Sequence, residues 1–215
     1  MSKRALIVQG GWPGHEPQEC AELWEKILAG DDFEVTVADT LDVFKDESVL
    51  AGLSVITPIW TMGIIDADQF EGLSKAVAAG VGLAGWHGGM ADAFREHLGY
   101  QYMVGGQFMA HPDGMKNYDV NMVATDDPII EGIADFSVHS EQYYMHTDPG
   151  NEVLATTTFQ TESNAWVNGT VMPVIWKRHW GEGRVFYSSL GHQASEFDKF
   201  EVTEIQRRGI RWASR

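Results

Sequence analysis

Eight histidines stand in this chain, and five of them flank glycine, proline or a predicted strand end. The most telling is His87 in Gly85-Trp86-His87-Gly88-Gly89. An apolar run, Val81 to Gly85, leads into it, and a helical segment from about Met90 to Leu98 is expected after it. A residue flanked by glycines at such a turn has the spacing of a nucleophile elbow, where small neighbours let the backbone approach closely. The elbow usually presents Ser or Cys. An imidazole is a poor acyl-transfer nucleophile, but it is a good metal ligand and a good acid or base near neutral pH. A helix N-terminus behind the ring would favour its neutral form. The alternative is a glycine-rich turn with a capping histidine.

His192, in Leu190-Gly191-His192-Gln193, again sits between a predicted strand and a helix. His111 precedes Pro112, which restricts it to extended backbone and so sets where its ring points. His15 and Glu16 follow the first strand. Glu141 lies in Ser140-Glu141-Gln142-Tyr143-Tyr144-Met145-His146. On one continuous strand His139, Glu141 and Tyr143 would share a face, and His146 would point away. His97, within the predicted helix, and His179, near a turn, read as structural or exposed. Histidines plus a glutamate at loop positions could hold Zn, Mn or Fe, with His15, His87, His111, Glu141 and His192 as the candidate ligands. No local spacing such as His-x-x-x-His reinforces this. Trp12, Trp60 and Trp86 fall at loops or strand ends, where an aromatic face could stack on a sugar, although packing explains any single Trp equally well.

These residues need a frame that brings strand ends together. Ala5 to Gln9 reads as a buried strand that meets a loop at Gly10-Gly11. Pro17 opens a helix whose Cys20, Leu23, Trp24, Ile27 and Leu28 form one apolar stripe, and Gly30 ends it. Phe33 to Ala38 and Leu53 to Ile56 are further strands, the latter ended by Pro58. Asp66 and Gln69 form a capping box for a helix with Phe70, Leu73 and Val77 inward. This alternation implies a mostly parallel sheet covered by helices on both faces. The second half is β-rich: segments 116–124, 152–159, 172–177 and 184–189 suggest antiparallel additions. A last helix, starting near Ser195, carries Val202, Ile205, Gly209 and Trp212 on one face. The expected fold is three-layer α/β, in one domain over residues 1–215. Ligands of such sheets bind beyond the carboxyl ends of the strands.

The chain has 215 residues and a formal net charge of −16, which repels phosphate backbones and anionic membranes. No nucleic-acid or membrane partner is expected. The single cysteine, Cys20, can form no internal disulfide, and the N-terminus lacks a signal-peptide pattern, so a cytoplasmic location is expected.

Five segments together resemble the ThuA-like (trehalose utilisation) proteins: Val81–Gly89, the early Gly11-x-x-x-His15, Gly105–Pro112, Glu141–Tyr144, and Pro173 to His192 with its Gly181-Glu182-Gly183-Arg184 turn. The resemblance runs through nearly the whole chain in order. It implies a class I glutamine amidotransferase-like, flavodoxin-like fold. It also exposes two departures from true amidotransferases. His87 replaces the nucleophilic Cys, and Gln193 follows His192 where a glutamate-bearing segment would complete a triad. Cys20, on a helix stripe, cannot substitute, so glutamine hydrolysis by a thiolate is excluded. What the resemblance implies instead is carbohydrate metabolism, on sugars first oxidised to keto-sugars by a partner dehydrogenase. The expected ligand is a small carbohydrate, and nothing calls for a nucleotide cofactor. His87, Glu141 and His192 are the expected catalytic residues. Trp12, His15, Trp60, Trp86, His111 and Tyr143 are the expected substrate contacts. A non-catalytic carbohydrate-binding protein on the same fold is the alternative, and homo-oligomerisation is left open.

Overall fold

A computed structural model describes residues 3–124 and 126–215. The first half of the chain runs β1 (Lys3–Gly11), α1 (Pro17–Gly30), β2 (Phe33–Ala38), α2 (Glu47–Ala51), β3 (Val55–Thr61), α3 (Ala67–Ala78), β4 (Gly82–Trp86), α4 (His87–Ala91) and α5 (Leu98–Val104). The second half runs β5 (Gly106–Ala110), β6 (Met115–Met122), β7 (Phe136–Glu141), β8 (Tyr144–Thr147), β9 (Glu152–Thr158), β10 (Val171–Trp180), β11 (Gly183–Ser188) and α6 (Phe200–Ala213).

Nine strands form one sheet in the order β2-β1-β3-β4-β11-β10-β9-β6-β7. The first five are parallel, and from β11 outward each neighbour is antiparallel. β5 and β8 pair separately as a small antiparallel ribbon. The fold is thus α/β with a large, mostly parallel central sheet, enclosing helices and antiparallel additions.

Alternation along the buried strands divides the core in two. Ala5 and Ile7 of β1 pack with Cys20, Trp24 and Leu28 of α1 and with Val202, Ile205 and Ile210 of α6. Leu6 and Val8 face the other way, onto Leu50 of α2, Leu73 and Val77 of α3, and Tyr100 and Met103 of α5. A central strand covered on both sides must be apolar on both, which is why Ala5 to Val8 is a continuous hydrophobic run.

Four local expectations are corrected. Gly10 and Gly11 belong to β1, paired with Trp60 and Thr61. Pro58 does not end β3, which pairs with β1 through Thr61 but with β4 only at Val55 and Ile56. Beyond Ile56 the β4 side needs no donor, so the missing N–H of Pro58 breaks nothing. No helix spans Met90 to Leu98. α4 stops at Ala91 because Asp92 to Phe94 bonds instead to Met62, which donates its N–H to Asp92 O and accepts from Phe94 N. His97 then caps α5, its Nδ1 accepting from Tyr100 N at 3.1 Å. The last helix starts at Phe200 rather than Ser195. Before it, a short 3-10 turn pushes Phe197 edge-on against Trp24 and Trp86.

Candidate metal centre

Three imidazoles arrive at one point from the carboxyl ends of parallel strands. His15 follows β1, His87 follows β4, and His192 follows β11. Glu141, the last residue of β7, reaches the same point from the antiparallel side. All four residues are buried, and their ligand-type atoms lie within 4.8 Å of one another.

The His87 turn has the elbow form. β4 ends in extended backbone at Trp86, then His87 adopts φ 44°, the left-handed region. Small neighbours are required: a Cβ on Gly88 would lie 2.6 Å from His15 Nδ1, and one on Gly89 3.0 Å from Ile59 Cα. The Tyr187 hydroxyl donates to the His87 carbonyl at 3.2 Å.

Ring orientation follows from hydrogen bonds on the far side of each ring. His87 Nδ1 sits 2.8 Å from the Ser189 carbonyl, which can only accept, so Nδ1 carries the proton. Burial pushes the His87 pKa down to about 4, so the ring is neutral at pH 7. Burial, rather than the dipole of a five-residue helix, is what keeps it so. Its Nε2 therefore presents a lone pair, 3.2 Å from Glu141 Oε2 and 3.2 Å from His192 Nδ1. His15 Nδ1 pairs with Thr61 Oγ1 at 2.7 Å, leaving Nε2 3.8 Å from Glu141 Oε2. His192 Nδ1 is 3.3 Å from the same carboxylate oxygen. Burial would raise the Glu141 carboxyl, but the three imidazoles gathered around it hold it far below the usual range. Burial likewise opposes charge on His192, yet its bond to Glu141 wins and raises it.

Two acceptors, His87 Nε2 and Glu141 Oε2, thus face each other and need positive charge between them. In the metal-free protein the His192 Nδ1–H can supply it. A divalent cation could replace that proton. Metal bonds of about 2.0–2.2 Å at tetrahedral angles place ligand atoms about 3.4 Å apart. His87, His192 and Glu141 already have that spacing, and His15 stands slightly wider. The donor set, oriented by Thr61 and Ser189 as outer partners, fits a metal such as Zn, Mn or Fe.

His111 stands outside this group. Its Nε2 lies 3.6 Å from the other Glu141 oxygen, Oε1, and its side chain is 41% exposed. Aromatic rings pack around the cluster: Tyr143 stacks on His87 with centroids 4.0 Å apart, Phe108 packs on Tyr143, and Trp12 meets His15 edge-on at 4.8 Å. Trp12 is 43% exposed and keeps a free face, whereas Tyr143 is buried and backs the His87 ring.

Two expected sugar contacts lie elsewhere. Trp86 is buried between Trp24 and Phe197 and has no face to offer a sugar. Trp60 covers Gly10, where a Cβ would fall 2.6 Å from its ring, and belongs to the second core. His139 does not join Glu141. Both lie on β7, but His139 is exposed and bonds Asn117 at the surface, whereas Glu141, the last residue of the strand, is buried in the cluster. His146 and His179 are exposed. Sequence reasoning did not single out Ser189, Tyr187 or Phe108 as site residues, and no spacing in the chain marks them. Cys20 is buried within α1, and burial pushes its thiol up to about 12, far from a thiolate at pH 7.

A sheet of this order with a strand-to-helix elbow defines an amidotransferase-like α/β protein whose nucleophile position holds a metal-ligand type of side chain. The ThuA family model, described as trehalose utilisation, matches residues 4–213, and the chain belongs to that family. Among solved structures, a ThuA-like protein from Bacteroides uniformis is 17% identical, with a TM-score of 0.81 over 98% of this chain and 91% of that one. A ThuA-like protein from Parabacteroides merdae is 16% identical, with a TM-score of 0.79 over 99% and 90%. A cytoplasmic protein from Salmonella typhimurium LT2 is 11% identical, with a TM-score of 0.66 over 99% and 100%. At these identities the likeness is one of fold. No curated protein matches the sequence significantly. No helix among the described residues is long and apolar enough to cross a membrane.

Proposed function

We propose that this protein is a cytosolic enzyme of carbohydrate metabolism that uses a divalent metal, held by His15, His87, Glu141 and His192, to act on a sugar or keto-glycoside. One observation carries the reading: three imidazoles and a carboxylate converge at a buried point with their ligand-type atoms turned toward one another. The family's link to trehalose utilisation supports a carbohydrate ligand. When bound, the metal would polarise a substrate carbonyl as a Lewis acid.

The residues divide the work by exposure. His15, His87, Glu141 and His192 would hold the ion, which commits their ligand atoms to it and leaves none of them free as a base. This gives His87, Glu141 and His192, the expected catalytic residues, the role of ligands rather than of acid or base. His111, half-exposed beside Glu141, is the proton-transfer group, and Trp12 offers an open stacking face. A keto group acidifies the neighbouring C–H, whose proton His111 takes while the electron pair moves into an enolate. Returning that proton to another carbon gives isomerisation. Expelling the glycosidic oxygen breaks the C–O bond, protonated His111 gives its proton to that oxygen, and water adds across the remaining double bond. The ketone must arrive preformed, which makes a sugar dehydrogenase the supplying partner.

The test incubates protein freed of metal, or reloaded with Zn, Mn or Fe, with a glycoside and with the same glycoside oxidised to a ring ketone. Turnover of the ketone alone, by metal-loaded protein alone, is the expected result. Sugar binding by calorimetry with no product from any loading would overturn it in favour of a carbohydrate-binding role.

A further inference from the structure

Two carboxylates outside the cluster fasten together the segments that carry it. Glu196 Oε2 accepts from Gly191 N at 3.1 Å, from His192 N at 3.0 Å and from Ser140 Oγ at 3.0 Å. Ser140 is the residue before Glu141, so one oxygen ties the end of β7 to the backbone of His192. Glu16 does the same from the other side. Its Oε2 accepts from Ala194 N at 3.0 Å, and its Oε1 receives Gln193 Nε2 at 3.3 Å. Glu16 follows His15 and stands at φ 47°, a left-handed conformation that only its surroundings hold in place. Residues 190–193 enter no helix or strand and Ala194 opens the 3-10 turn, so without these bonds the amides of Gly191, His192 and Ala194 have no partner in regular structure.

We infer that Glu16 and Glu196 are positioning residues that set the spacing of His15, Glu141 and His192 and so govern how tightly the centre holds its cation. This rests on the metal reading above. Neither carboxylate is counted among the ligands. Each bonds instead to a backbone or hydroxyl group next to a ligand, which is how outer partners orient a metal site. The roles differ in kind from that of Ser189, which fixes one ring. Glu196 fixes the distance between the end of β7 and a segment 56 residues further along the chain, and Glu16 links segments 178 residues apart.

The experiment titrates cobalt(II) into metal-free wild type, Glu196→Ala, Glu196→Gln and Glu16→Ala, reading affinity and the visible d–d spectrum, with circular dichroism as the check on folding. Outer-partner losses weaken metal binding roughly 10–100-fold, and that range is expected for both alanine variants, together with a shifted cobalt spectrum. Glu196→Gln keeps an acceptor oxygen and should recover most of the affinity. Faster amide exchange at Gly191 and His192 in Glu196→Ala would report the loosened loop. Folded alanine variants with wild-type affinity and spectrum would overturn this inference alone. A wild type that takes up no cobalt would overturn it together with the metal reading.

Discussion

The two halves of the sheet contribute to the centre by different means. The parallel half delivers three imidazole nitrogens, from His15, His87 and His192, each from the loop or turn that follows a parallel strand. The antiparallel half delivers the one negative charge, Glu141, along with His111 and the Tyr143 backing. Parallel topology places groups by rule, because all its strands end on the same side. The antiparallel additions follow no such rule, and they carry what distinguishes this centre from an amidotransferase elbow. The frame thus determines where a cation could sit, and the addition determines its charge balance and proton transfer.

The sharpest test of the frame is Trp86→Ala. Removing a buried Trp packed on Trp24 and Phe197 should cost about 3–5 kcal/mol in denaturant unfolding. Sugar affinity of the folded fraction should not change. A lost sugar affinity without lost stability would return Trp86 to the binding site.

Acid should separate the halves next. His87 has a folded pKa of about 4, below the unfolded value of about 6.5. The unfolded chain therefore binds its proton first as pH falls, and stability drops between pH 6.5 and 4 by up to about 3 kcal/mol. Glu141, also depressed, adds a loss below its unfolded pKa of about 4.3. His192 is raised and works against both, since its contribution is present at low pH and fades as pH rises through its folded pKa. Thermal melts of metal-free protein from pH 7 to 4.5 should slope downward, and His87→Asn, which tolerates positive φ, should flatten that slope. A wild-type melt independent of pH over this window would mean His87 is not held neutral by burial.

Gly88→Ala is a smaller perturbation within the parallel half. The new Cβ would lie 2.6 Å from His15 Nδ1 and must displace that ring. A loss of about 1–3 kcal/mol in stability, with weakened cation binding, is expected. The least effect on the cation should come from the antiparallel side. His111→Asn should leave metal affinity within a few-fold while lowering kcat about 10²–10⁴-fold. Equal losses in both would make His111 a ligand instead.

Legibility in the sequence followed the same division. Strand-end histidines and the glycine-flanked turn were readable because parallel α/β topology and the elbow are both encoded locally, in apolar runs and in Gly85, Gly88 and Gly89. The pairing of Glu141 with the histidines was suspected from residue type, but its orientation was not readable. The continuous-strand reading put His139 beside it, and both do lie on β7, but His139 turns to Asn117 at the surface while Glu141, at the strand's end, enters the cluster. The helix expected over Met90 to Leu98 failed because a tertiary ladder to Met62 outcompetes local propensity. Trp86 sits at a strand end like Trp12 and Trp60, and no local signal distinguishes a core-facing indole from an exposed one. Glu16 and Glu196 act through contacts with chain segments far away in sequence, which no spacing announces.

The central claim is that a cation belongs at the meeting point of the two halves. The most direct measurement is calorimetric titration of metal-free protein with Zn(II) at pH 7, for wild type and for Glu141→Gln, in buffers of different ionisation enthalpy. The account predicts one ion per chain, proton release as the ion displaces the His192 Nδ1–H, and affinity lowered at least 100-fold in Glu141→Gln, which keeps the shape and loses the charge. No stoichiometric binding, or undiminished binding by Glu141→Gln, would contradict it.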